Sequence, residues 1–66
     1  MRGKSLQIER IRAGIKQYEL ADALGMDQSL LSKIENDRIK VTESMEELYL
    51  RKLRELKNRS QLWKTI

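Results

Sequence analysis

The 66-residue sequence has no cysteine, no histidine, no proline and no phenylalanine; it has three glycines, and its aromatic residues are two tyrosines and one tryptophan. Without cysteine the chain can form neither a disulfide nor a thiolate metal site. Without histidine it lacks the usual imidazole ligand and the commonest general base. These absences point away from a disulfide-stapled secreted domain, from a metal centre and from an enzyme, and no residue pattern calls for a cofactor. The scattered Asp and Glu residues read as solvated helix faces rather than as catalytic carboxylates. No run of roughly 20 apolar residues is present to span a bilayer, and no charged-then-apolar leader opens the chain, so a cytoplasmic location is expected. The lack of proline, with charged residues spread throughout, predicts an all-α domain with short connections. The length allows one small domain, residues 1–66. A domain of that size buries only about 60% of the surface its unfolded chain exposes.

What the sequence has in excess is positive charge: 14 Lys and Arg against 10 Asp and Glu, a net charge of +4. That balance suits a polyanionic partner, although plain solubility accounts for it equally well. A more specific signal lies between Gln17 and Asn36. Leu20, Ala21, Leu24, Leu31 and Ile34 recur at helical spacing interrupted at Gly25, which predicts two short helices meeting at an angle. Asp27 stands at the N-cap position of the second helix, where its carboxylate is expected to accept from the first backbone N–H groups. Gln28, Ser29, Ser32 and Lys33 then fall on the face away from Leu31 and Ile34. Amide, hydroxyl and ammonium groups on the exposed face of a short helix can read base edges in a DNA major groove. In the loop that follows, Arg38 and Lys40 are candidates for phosphate contacts, which position a protein on DNA without specifying sequence. The blander alternative for all six is a solvated helix face and loop.

Gln17, Glu19, Leu20, Ala21, Leu24, Gly25, Asp27, Leu31, Ser32, Ile34, Glu35 and Asn36 together form a pattern that resembles the helix-turn-helix of the lambda-repressor-like family, the Cro and XRE type of bacterial and phage regulators. With the helix before and the loop after, the resemblance covers about residues 6–42. It implies a compact four- or five-helix bundle that binds double-stranded DNA sequence-specifically and regulates transcription, as a repressor acting by operator occupancy. It also implies that Gln17 and Asn36 hydrogen-bond the DNA backbone on either side of the recognition helix. Arg10 and Glu35 match positions that form a partly buried ion pair fastening the first helix to the recognition helix. Three residues depart from the pattern. Lys16 replaces the usual Ser or Thr cap, Asp37 replaces the glycine that usually ends the recognition helix, and Val41 stands where proline is common. The first two are expected to leave helix ends less well capped.

Before the motif, Leu6, Ile8, Ile11 and Ala13 closed by Gly14 read as a first helix capped by Ser5, with Ile15 entering the core. After it, a long helix is expected from Thr42 or Ser44, with Ser44 and Glu47 as a capping box and Met45, Leu48, Tyr49, Leu53 and Leu56 facing inward. Glu47, Arg51, Glu55 and Arg59 alternate in sign along its solvated side. Leu62, Trp63 and Ile66 extend past a core too small to cover them. They are expected either to fold back or to form a homodimer interface, making residues 43–66 a C-terminal helix and dimerisation segment. A dimer implies an inverted-repeat operator. A competing reading from a different class keeps the fold but makes it a protein-interaction module of the antitoxin or antirepressor type.

Overall fold

The apolar periodicity resolves into four helices in the computed structural model, which describes residues 2–62 and the side chains of residues 2–59: α1 (Arg2–Arg12), α2 (Gln17–Leu24), α3 (Gln28–Glu35) and α4 (Glu43–Leu62). No strand occurs among the described residues, and the all-α expectation holds. Each helix contributes one apolar stripe to a single core. Leu6 comes from α1, Leu20 and Ala21 from α2, Leu31 and Ile34 from α3, and Tyr49 and Leu53 from α4, with Ile15 and Val41 added by the connections. Helix α3 packs against α1 and α2, and α4 packs against the same two helices from another side. Leu20 and Leu31 have no exposed surface. Truncating either to alanine would cost about 2–5 kcal/mol, a large share of the stability of so small a domain.

The first three helices end in the same way. At Gly14, Gly25 and Asp37 the backbone turns left-handed, with φ of 73°, 70° and 58°. In each case the next residue donates back to a carbonyl five residues earlier: Ile15 N–H to Arg10 O, Met26 N–H to Ala21 O, and Arg38 N–H to Lys33 O. This double-bonded closure satisfies carbonyls that a helix end otherwise leaves unpaired. The expectation that Asp37 leaves α3 poorly closed is therefore corrected. Aspartate tolerates the left-handed region better than most residues, and here its carboxylate also accepts the Gly3 N–H at 2.9 Å.

That bond moves the start of α1. The helix begins at Arg2, not after Ser5, because the Asp37 carboxylate arrives from across the fold to satisfy a first-turn amide. The buried stripe of α1 is Gly3, Leu6 and Arg10, while Ile8 and Ile11 are 51% and 61% exposed. The third inward position of this stripe is taken by a charge, Arg10. Elsewhere, Asp27 has the extended backbone of an N-cap, but its side chain makes no capping bond; Leu31 N–H bonds to the Asp27 carbonyl instead. Lys16 likewise occupies the cap of α2, and Glu19 accepts the Lys16 N–H at 3.1 Å. At α4 the cap is Thr42, whose hydroxyl accepts Met45 N–H at 3.2 Å, so Ser44 lies inside the first turn. Tyr49 and Leu53 are buried and Met45, Leu50 and Leu56 pack against the same core, whereas Leu48, expected to face inward, is not among the packed residues. Trp63 and Ile66 lie outside the described residues, as does the side chain of Leu62.

Candidate DNA interface

The start of α2 and both ends of α3 are joined by a network organised from the inside out, beginning with Glu35. This carboxylate is fully buried yet has four bonds. Arg10 Nε lies 2.8 Å from Oε2 and Nη2 lies 3.1 Å from Oε1. The Tyr49 hydroxyl donates its single proton to Oε2 at an O–O distance of 2.6 Å, with the Leu6 carbonyl at 3.0 Å as a weaker second acceptor. Gln17 Nε2 donates to Oε1 at 3.1 Å. A buried carboxylate is tolerated only when its lone pairs are occupied in this way, and stripping one charged partner from such a pair costs about 3–5 kcal/mol. Burial works against the Arg10 charge, but the bonds and attraction of Glu35 outweigh it and hold the guanidinium pKa above its ordinary value. Burial, reinforced by the bond to Glu35, pushes the Tyr49 phenol well up as well. Among the described residues, no buried side-chain polar atom lacks a partner.

The network then runs outward with a fixed polarity. A carboxylate can only accept, so Gln17 must turn its NH2 group to Glu35 and its carbonyl away. That carbonyl accepts Gln28 Nε2 at 3.1 Å. Gln28, the first residue of α3, is exposed and keeps its own side-chain carbonyl and second N–H outside this chain of bonds. At the other end of α3, Asn36 Nδ2 donates to the Ser32 carbonyl at 2.8 Å and to the Ser32 hydroxyl at 3.3 Å. Its Oδ1 accepts Lys4 Nζ at 2.9 Å.

Gln17, Gln28, Ser29, Ser32, Lys33, Asn36 and Arg38 line one open cleft of about 730 Å³. The four candidate base readers and three of the four candidate backbone contacts are thus brought together. Lys40 is exposed in the loop but is not part of this lining. The lining contains two cations and no carboxylate. Carboxylates line two other clefts: Glu19, Asp22 and Glu55, together with Lys52 and Arg59, between α2 and α4, and Asp22 and Asp27 near the turn. A profile of helix-turn-helix proteins matches residues 6–45. The chain belongs to the Cro/C1-type, or XRE, helix-turn-helix family. This Cro/C1-type protein is therefore of the DNA-binding transcription-regulator kind. No curated protein and no solved structure matches the chain.

Two residues of this region escape a local reading of the sequence. Tyr49 reads as one more apolar position on α4, and only its hydroxyl, which needs a partner once buried, signals a polar role. Lys4 falls outside a helix taken to start after Ser5. Its signal is the spacing of Gly3, Leu6 and Arg10, which carries the buried stripe back into the first residues. No helix among the described residues is long and apolar enough to cross a membrane, and they contain no cluster of potential metal ligands.

Proposed function

We propose that this Cro/C1-type protein is a cytoplasmic transcriptional repressor that occupies an operator as a homodimer, reading an inverted repeat with α3 in successive major grooves. The supporting observation is the sign and chemistry of the α3 cleft. Gln28, Ser29, Ser32 and Lys33 form one hydrogen-bonding face, flanked by Gln17 and Asn36 and made positive by Lys33 and Arg38. Gln28 and Lys33 act as base readers, the amide suited to adenine and the ammonium to guanine, with Ser29 and Ser32 beside them. Gln17, Asn36, Arg38 and Lys40 act on phosphates. Repression of this kind requires no effector module, because occupying the site is enough to exclude polymerase.

Reading and clamping respond differently to sequence and salt. Gln28→Ala is expected to cost about 1–3 kcal/mol on a selected duplex and much less on a scrambled one. Arg38→Ala is expected to weaken both duplexes alike and to lower the slope of log affinity against log salt by about one unit for each phosphate no longer neutralised. Binding titrations on the two duplexes over several salt concentrations check both. Equal losses for the two variants on both DNAs would remove Gln28 from the reading face. A chain that binds neither duplex but purifies with a stable protein partner would move the fold to a protein-interaction role.

A further inference from the structure

The cleft has a neighbour that belongs neither to the helix-turn-helix nor to the residues matched by the family, namely the first turn of α1. Three contacts tie this turn to the loop after α3. Gly3 N–H bonds to the Asp37 carboxylate, Lys4 Nζ to Asn36 Oδ1, and Arg2 Nη1 to the Val41 carbonyl at 3.4 Å. The fit is close enough that a Cβ on Gly3 would collide with the Ile34 carbonyl oxygen and come within 2.7 Å of Asp37 Oδ1. The backbone bearing Lys4 is therefore held beside the loop that carries Asn36 and Arg38.

The two cations of this turn differ in what they face. Arg2 is paired with Glu46 at 3.4 Å, which offsets its charge. Lys4 is exposed and bonds to a neutral amide; among the described residues no carboxylate forms an ion pair with it. The bond to Asn36 uses one of three ammonium N–H donors and leaves two. Because Asn36 lines the cleft and is itself oriented by Ser32, its carbonyl sets the Lys4 ammonium at the cleft rim. Asp37 adds one negative charge nearby, against the three positive charges of Lys4, Lys33 and Arg38. The remaining local balance favours an anion.

We propose that Lys4, held at the rim by Asn36, contacts a DNA phosphate, so that the DNA-binding surface extends from the helix-turn-helix onto the first turn of α1. This rests on the DNA-binding reading above. The experiment compares Lys4→Met, which removes the charge and keeps the stem, with Lys4→Arg, which keeps the charge. Lys52→Met serves as a control, since Lys52 is paired with Glu55 on the α2–α4 side. Affinity of the full chain for one selected and one scrambled duplex is measured by fluorescence anisotropy from low to moderate salt, with thermal melts alongside. Lys4→Met should weaken both duplexes by about three- to tenfold and lower the salt slope by about one unit per bound protomer at an unchanged melting midpoint. Lys4→Arg and Lys52→Met should match the parent. If the parent binds and Lys4→Met keeps its affinity and slope, or if Lys4→Arg loses as much as Lys4→Met, Lys4 makes no such contact while the DNA-binding reading stands. A parent chain that binds neither duplex would overturn both.

Discussion

At the scale of single residues, the decisive feature is that a buried carboxylate is made tolerable by partners from three other elements. Glu35 on α3 is held by Arg10 of α1, Gln17 of α2 and Tyr49 of α4. Tyr49 gives this arrangement a pH signature. Its phenol, ordinarily near 10.0, is raised in the fold by burial and by Glu35. In the unfolded chain the proton leaves near pH 10 while the folded chain keeps it. The stabilisation is therefore complete below about pH 10 and is lost as pH rises further, at up to about 1.4 kcal/mol per pH unit. Tyr49→Phe should destabilise the protein by about 1–3 kcal/mol at neutral pH, and that deficit should shrink above pH 10. Urea midpoints of parent and variant from pH 7 to 11 check it; a deficit that stays constant across the range would show that the hydroxyl does not titrate with folding. The guanidinium of Arg10, whose pKa is raised, against burial, by Glu35, stays charged throughout this window and has no effect in it.

At the scale of elements, helix ends decide where the candidate site residues sit. Gly14 and Gly25 supply left-handed closures at little steric cost, and the angle between α2 and α3 follows from the second of them. Asp37 performs the same closure for α3 and, in addition, accepts the first-turn amide of α1. One residue thus ends one helix and starts another. Gly3 is the complement of that arrangement, since its missing Cβ is what allows α1 to approach the Ile34 carbonyl. Gly3→Ala would favour an isolated helix, yet it is expected to cost about 1–2 kcal/mol here because the first turn must move off the loop. Denaturation midpoints measure the cost, and amide exchange at Lys4 and Ser5 locates it. An unchanged midpoint with unchanged protection would mean that the close approach contributes nothing.

At the scale of the whole molecule, the shape is set by α4. Its 20 residues span about 30 Å at 1.5 Å per residue, and the described residues extend 40 × 20 × 18 Å. Among the described side chains, Leu56 is the last apolar residue of α4 packed against the core, and Lys57, Asn58 and Arg59 are exposed. The proposed homodimer takes the segment after Asn58 as its interface, on the apolar character of Leu62, Trp63 and Ile66 in the sequence; these side chains lie outside the described residues. Sedimentation at micromolar concentration is expected to give a dimer for the full chain and a monomer after truncation at Asn58. A full chain that sediments as a monomer under those conditions would exclude this interface. In a dimer, the two α3 helices are expected to meet half-sites about 34 Å apart, one turn of duplex.

The chain order of the motif, the turn at Gly25 and the polar face of Gln28, Ser29, Ser32 and Lys33 were legible in the sequence because they depend on neighbours within a turn or two of helix. Their signals are a 3.6-residue period and a glycine where the backbone must turn left-handed. Long-range contacts decided the rest. Gly3 meets Asp37 across 34 positions and Tyr49 meets Leu6 across 43, so no local window shows why α1 starts at Arg2, why Ile8 and Ile11 face outward, or why an aspartate can close α3. A comparable distance in sequence separates Lys4 from Asn36, although folding places them 2.9 Å apart. Periodicity determines which side of a helix is apolar. Whether a charge can take a place on that side is settled only when the fold supplies its partners, as it does for Arg10, Glu35 and Tyr49.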